Sequence, residues 1–117
     1  MRPETIARRR QLYREVVEIV HREYREELTL DDLARRLASS RRQLQRAFAE
    51  AGDTTFRAYL QRVRMAQAAA LLQDPSLPVN RVASAVGYRQ PAQFAKAFRR
   101  HHGRPPSEYR GDRGLAA

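Results

Sequence analysis

The 117-residue sequence contains no cysteine, no tryptophan and a single lysine, Lys96. Without cysteine there are no disulfides, no zinc thiolates and no thiol nucleophile. Apolar runs are short, such as Ala68-Ala69-Ala70-Leu71-Leu72, whereas a membrane span needs about 20 apolar residues. No apolar stretch follows Arg2, so the N-terminus does not read as a secretory signal. Period-two alternation of β-branched residues is scarce, which argues against strands. His21, His101 and His102 are the only histidines. On a helix His101 and His102 point about 100° apart, a poor chelate. The sequence suggests no Ser–His–Asp or paired-carboxylate arrangement, and Glu15, Glu18, Glu23, Glu26 and Glu27 read as the solvated face of a helix. The expectation is a cytoplasmic chain with no enzyme activity, no metal, no cofactor and no membrane partner.

What is abundant is arginine, 22 residues of it, and the net charge is +10. The excess is uneven. Residues 1–32 carry net −1, whereas residues 33–110 carry net +11. A stretch so basic calls for a polyanion, and nucleic acid is the first such partner to consider.

Ala, Leu, Arg, Gln and Glu dominate, and apolar residues recur at helical spacing throughout. A first helix is expected over Glu4–Glu26, with Leu12, Val16 and Val20 on one face beside Tyr13, Val17 and Tyr24. Thr29 caps a second, whose apolar face is Leu30, Leu33, Ala34 and Leu37. Ser40 with Gln43 forms a capping box for a third, Arg41–Ala51, stopped by Gly52. A longer helix follows from Thr55 to Gln73, with a stripe of Phe56, Tyr59, Leu60, Val63, Ala66, Ala70 and Leu71. Asp74–Pro78 is a linker, Val79–Val86 a fifth helix, and Pro91 starts a sixth that runs to His102 and ends at Gly103. Pro105–Tyr109 forms a last helical turn, and residues 111–117 are expected to be a disordered tail. The fold expected is all-α, with about seven helices.

The chain also repeats itself. Leu30, Leu33, Ala34 and Leu37 match Val79, Val82, Ala83 and Val86 at an offset of 49, and Gln43, Leu44, Arg46, Ala47 and Phe48 match Gln93, Phe94, Lys96, Ala97 and Phe98 at an offset of 50. The extra residue is placed in the turn, where Gly87 sits. An insertion within a helix would instead rotate one face by about 100°. A helix–turn–helix therefore occurs twice: residues 1–52 hold the first unit with the N-terminal helix, 53–74 the connecting helix, and 75–110 the second unit.

In the third helix Leu44, Ala47, Phe48 and Ala51 face inward, so Arg42, Gln45, Arg46 and Ala49 face out. Arginine can bond guanine O6 and N7 together, and glutamine adenine N6 and N7, when such a helix lies in the major groove. In the sixth helix Phe94, Ala97, Phe98 and His101 are expected inward. The outward positions are Ala92, Ala95 and Lys96, with Gln93 beside them. Arg42, Gln45, Arg46, Gln93 and Lys96 are the base-reading candidates; Ser40, Arg41, Arg89, Gln90 and Arg99 are the phosphate candidates. The halves are expected to be unequal, the first discriminating bases and the second mainly gripping phosphates. A rod from Thr55 to Gln73 spans about 28 Å, close to the roughly 34 Å between successive major-groove faces.

The stretch Ser40-Arg41-Arg42-Gln43-Leu44-Gln45-Arg46-Ala47-Phe48, with Tyr59-Leu60, Arg64-Met65 and Leu71-Leu72, resembles the first half of the AraC/XylS DNA-binding domain. Val82-Ala83, Gly87-Tyr88, Gln93-Phe94, Phe98-Arg99-Arg100, Gly103 and Pro106-Ser107-Glu108-Tyr109-Arg110 resemble its second half. The likeness covers about residues 12–110. It implies two helix–turn–helix units joined by a long helix, in the MarA-like arrangement. It also implies a transcription regulator, usually an activator, that binds double-stranded DNA in adjacent major grooves and contacts RNA polymerase in a nucleoid-associated, cytoplasmic setting. The family's base-reading positions fall on Arg42, Gln45 and Arg46, and on Pro91, Ala92 and Lys96. The second set departs from the polar residues of many members. Most members carry a sensor domain as well; this chain is either a standalone regulator or a fragment, with Arg8-Arg9-Arg10 as a frayed end or the end of an interdomain linker. The rival readings are a membrane-surface helix, opposed by the missing tryptophan and a substantial core, and a nonspecific architectural DNA binder.

Overall fold

Two hydroxyl caps set the first helix–turn–helix. Thr29 Oγ1 accepts from the Asp32 N–H at 3.1 Å, and Ser40 Oγ accepts from the Gln43 N–H at 3.2 Å, each satisfying an amide that the first turn leaves open. The computed structural model describes residues 2–110. It contains α1 (Pro3–Glu23), α2 (Leu30–Arg36), α3 (Arg41–Ala51), α4 (Phe56–Leu71), α5 (Val79–Ala85) and α6 (Pro91–His102). Residues 106–110 are also helical and form α7. No strand occurs among the described residues, so the all-α class with seven helices holds. The tail expected to be disordered, 111–117, lies outside the described residues.

The chain divides into two compact units, one up to Gln61 and the other from Arg62, so α4 belongs to both. In the first unit α1 and α2 pack on α3, burying Leu12, Val16, Val20, Leu33, Leu44 and Phe48. The Phe48 ring is met edge-on by Tyr13 at 5.1 Å and Phe56 at 5.9 Å, the offset geometry that aromatic quadrupoles favour. In the second unit α5 packs on α6, with Val82, Val86, Phe94 and Phe98 in the core. Arg110 donates to the Leu72 carbonyl at 3.0 Å and the Asp74 carbonyl at 3.2 Å, answering open acceptors just after α4.

The duplication is visible bond by bond. Ser39 N–H reaches the Ala34 carbonyl and Ala38 N–H the Arg35 carbonyl; Tyr88 N–H reaches Ala83 and Gly87 N–H reaches Ser84 in the same pattern. Both are Schellman stops with a left-handed residue after the helix. That residue is Gly87 at φ 99° in the second unit and Ala38 at φ 51° in the first. Gly87 therefore matches Ala38, and the inserted residue falls after it, within 88–90, rather than at Gly87 itself. A left-handed alanine is strained by about 1–2 kcal/mol. Allowing for the greater chain entropy of glycine, Ala38→Gly is expected to stabilise the chain by about 1 kcal/mol. Gly87→Ala is expected to destabilise it by a similar amount, and urea midpoints at unchanged m-value read both.

Several details differ from the sequence expectation. Gly52 ends α3 without a left-handed conformation; its φ is −109°, and Asp53 at φ 51° makes the turn. A Cβ at Gly52 would lie 2.5 Å from Tyr13 Cε1, so any larger residue there would make the Tyr13 ring shift. Ala51 is exposed rather than inward, because the chain leaves the core at that turn. The α4 helix has 16 residues, about 24 Å, shorter than the span from Thr55 to Gln73, with Thr55 Oγ1 accepting from the Ala58 N–H. Its single expected stripe does not hold. Ala66 and Ala70 are exposed, while Met65, Ala68 and Leu72 are buried along with Phe56, Leu60 and Val63. A helix that serves two cores need not keep one face. His101 is exposed, and His102 takes the inward role, 4.4 Å from the Phe98 ring with Nε2 3.2 Å from the Met65 carbonyl oxygen. The register Phe94, Phe98, His102 is the i, i+4, i+8 row of one face. Partial desolvation by its neighbours, then the charges of His102 and Arg62, push the exposed His101 imidazole below its ordinary value.

Candidate nucleic-acid interface

The α3 helix is fixed from within by Leu44, Ala47 and Phe48, all buried. Its opposite face is thereby set outward, and Arg42, Gln45 and Arg46 are exposed. None of these three side chains has a hydrogen-bond or ion-pair partner among the described residues. Two guanidinium forks flank one carboxamide, and all their donors remain open to an external acceptor. This contrasts with other arginines of the first unit. Arg36 grips Glu23 through two parallel bonds of 2.8 and 2.7 Å, tying α2 to α1. That fork holds the Glu23 carboxyl below its ordinary value and raises Arg36. Arg35 pairs with Asp32 one turn away. Arg9 is buried and paired with Glu50 of α3, so the middle of the Arg8-Arg9-Arg10 run is neither fray nor linker but a tie between α1 and α3. Sequence reasoning missed this role; the partners stand 41 positions apart, with no local signal between them.

The phosphate candidates of the first unit are Ser40 and Arg41, both exposed at the start of α3. Ser40 Oγ already accepts from Gln43 N–H, which leaves its hydroxyl proton to donate. Arg41 stands 3.7 Å from Asp31, an exposed pair of little energetic weight that does not bar it from a stronger anion.

In the second unit Phe94, Ala97 and Phe98 are buried as their counterparts are, and the outward side of α6 carries Ala92, Gln93 and Lys96, all exposed. Ala95 is half-buried, while Arg89, Gln90, Pro91, Arg99 and Arg100 are exposed. Arg64 is half-buried, with its guanidinium 5.8 Å from the Tyr88 ring centre, and burial lowers its basicity against the opposing effect of Tyr88. Among the described residues there is no group of His, Asp or Glu able to hold a metal ion, and no helix long and apolar enough to cross a membrane.

The comparisons with known proteins agree with this anatomy. The helix-turn-helix domain family matches residues 33–112. The chain is 31% identical over 96 residues to the Msm operon regulatory protein of Streptococcus mutans, covering 82% of this chain and 34% of that protein. It thus spans about a third of that relative's length. A transcriptional regulator of Chromobacterium violaceum with an AraC-type DNA-binding domain superposes with a TM-score of 0.80 at 30% identity, covering 88% of this chain and 92% of the other. The DNA-binding domain of AdpA, a global transcriptional factor crystallised with a target DNA, superposes with a TM-score of 0.73 at 29% identity, covering 87% and 88%. The chain belongs to the AraC family of helix–turn–helix DNA-binding domains.

Proposed function

We propose that the chain is a sequence-specific, double-stranded DNA-binding transcription regulator that places α3 and α6 in adjacent major grooves, with residues 1–52 and 75–110 as its two reading units and 53–74 as their connector. The observation that carries this reading is the outward face of α3. Arg42, Gln45 and Arg46 stand on a helix held in place by a packed core behind them, yet have no hydrogen-bond or ion-pair partner among the described residues. These residue types match guanine and adenine edges in the major groove. The AdpA complex supports the same partner for a chain of this fold. Gln93 is the base-edge candidate on α6, and Ser40, Arg41, Arg89, Gln90 and Arg99 contact phosphate. Activation through RNA polymerase, a cytoplasmic location at the nucleoid, and a sensor domain in any longer form of the protein complete the proposal.

The deciding experiment selects bound duplexes from a random pool and then measures competition by random duplex. The preferred site should bind roughly 10³-fold or more tighter at physiological salt. Base-by-base changes in that site should weaken binding more in the half read by α3 than in the half facing α6. Equal affinity for selected and random duplexes would establish a nonspecific architectural binder instead.

A further inference from the structure

Lys96 is the one lysine among 23 basic residues, and it is exposed on α6. The difference from arginine is chemical. A guanidinium stays protonated and is inert to acyl donors, whereas a lysine amine reacts with them once it loses its proton. Of the 23 Lys and Arg charges, only that of Lys96 can be removed by acylation.

Its surroundings suit such a reaction. Lys96, Arg99 and Arg100 stand at i, i+3 and i+4, neighbours on one side of the helix, and all three are exposed. They line a concavity of about 570 Å³ with Ala95, Gly103 and Pro105. No carboxylate lines it, and none of the three cations has a hydrogen-bond or ion-pair partner among the described residues. The C-terminal dipole of α6 favours positive charge at Arg99 and Arg100, but does not account for an amine beside them in the same hollow. The duplicated unit lacks the arrangement. At the offset of 50 the α3 residues matching Lys96, Arg99 and Arg100 are Arg46, Ala49 and Glu50, and Glu50 is bonded to Arg9.

We propose that Lys96 is a modification site, acylated directly by a small acyl phosphate that the hollow binds through Arg99 and Arg100. Guanidinium forks match phosphate oxygens in pairs. A phosphate held there brings its acyl carbonyl, one oxygen away, to the Lys96 amine, and the two cations stabilise the charge of the departing phosphate. The ammonium gives one proton to solvent, and the nitrogen lone pair attacks the carbonyl carbon. A C–N bond forms, the carbon–oxygen bond to phosphate breaks with its electron pair going to phosphate, and a second proton leaves the nitrogen. The products are a neutral amide and inorganic phosphate. One positive charge is thereby lost beside Gln93 on the outward side of α6, while Arg42, Gln45 and Arg46 of α3 are untouched. Acylation lowers affinity for duplex. That consequence rests on the reading of the chain as DNA-binding; the modification itself does not.

The test incubates the whole chain with acetyl phosphate at constant ionic strength, without DNA, and follows acetylation by peptide mass spectrometry. Lys96 should react roughly 10-fold or more faster than Nα-acetyl-lysine amide in the same solution, because paired cations in a cleft concentrate an anion. Arg99→Gln/Arg100→Gln, with circular dichroism confirming its fold, should bring the rate down to that of the reference amide. Inorganic phosphate should inhibit wild type and not the double variant. Acetyl-coenzyme A, whose leaving group is a thiolate, should react more slowly at equal concentration. Reaction at the reference rate, a double variant as fast as wild type, or faster reaction with acetyl-coenzyme A overturns the proposal. In a second arm, acetylated wild type should bind duplex with the slope of log K against log salt lowered by about 0.9. Treatment of Lys96→Arg should leave that variant's binding as it was. Fast, phosphate-inhibited acetylation with an unchanged slope upholds the modification site and overturns its effect on DNA.

Discussion

Phe98→Ala is expected to destabilise the chain by about 3–5 kcal/mol, the largest stability effect of any substitution considered. The Phe98 ring is fully buried and lies 5.7 Å from Phe94, 4.4 Å from His102 and 5.2 Å from Tyr109. Removing it empties the centre of the second unit's core and strands three aromatic partners, each pair worth about 0.5–1.5 kcal/mol beyond its buried area. Against a typical domain stability of about 5–15 kcal/mol that loss is large enough to unfold much of the population on mild heating. Phe98→Leu keeps an apolar filling and should lose less. Amide hydrogen exchange locates the effect: protection should fall in α5 and α6 before it falls in α1 and α3. A destabilisation under about 1 kcal/mol would mean that the second core is not organised around this ring. The measurement needs no DNA, so it separates folding from binding.

Arg46→Ala and Arg42→Ala are expected to act on binding alone. Each should weaken the preferred duplex by about 1–3 kcal/mol, roughly 5- to 150-fold, and relax preference at one base pair. Random duplex should lose far less. Stability should stay within about 0.5 kcal/mol of wild type, because both side chains are exposed and engage no described residue. Arg9→Ala gives the converse: it breaks a partly buried ion pair, between the buried Arg9 and the exposed Glu50, and should lower stability while leaving base preference intact. If Arg46→Ala bound selected and random duplexes in the wild-type ratio, α3 would not be the base-reading helix.

The contrast between Arg46 and Arg9 marks how far a linear reading reaches. Helix ends were legible because their signals are local. Thr29, Ser40, Pro91 and Gly103 act on amides or dihedrals within a turn of themselves, and each stands where it was expected. The outward face of α3 was legible because Leu44 and Phe48 are large enough to fix which side is buried. The duplication was legible as a shift of 49 and then 50 residues, although only the matched Schellman bonds showed that the inserted residue follows Gly87.

Composition, periodicity and caps thus determined an all-α chain of seven helices, its repeated unit and the side of α3 turned to solvent, because those properties follow from hydrogen bonds and apolar spacing within a few residues. Tertiary structure decided which arginines belong to the fold and which stay open, that His102 rather than His101 packs on Phe98, and which residues α4 buries. Those outcomes rest on partners tens of positions apart, such as Arg9 with Glu50, and on alanine-rich helical faces whose burial contributes too little for periodicity to choose between them.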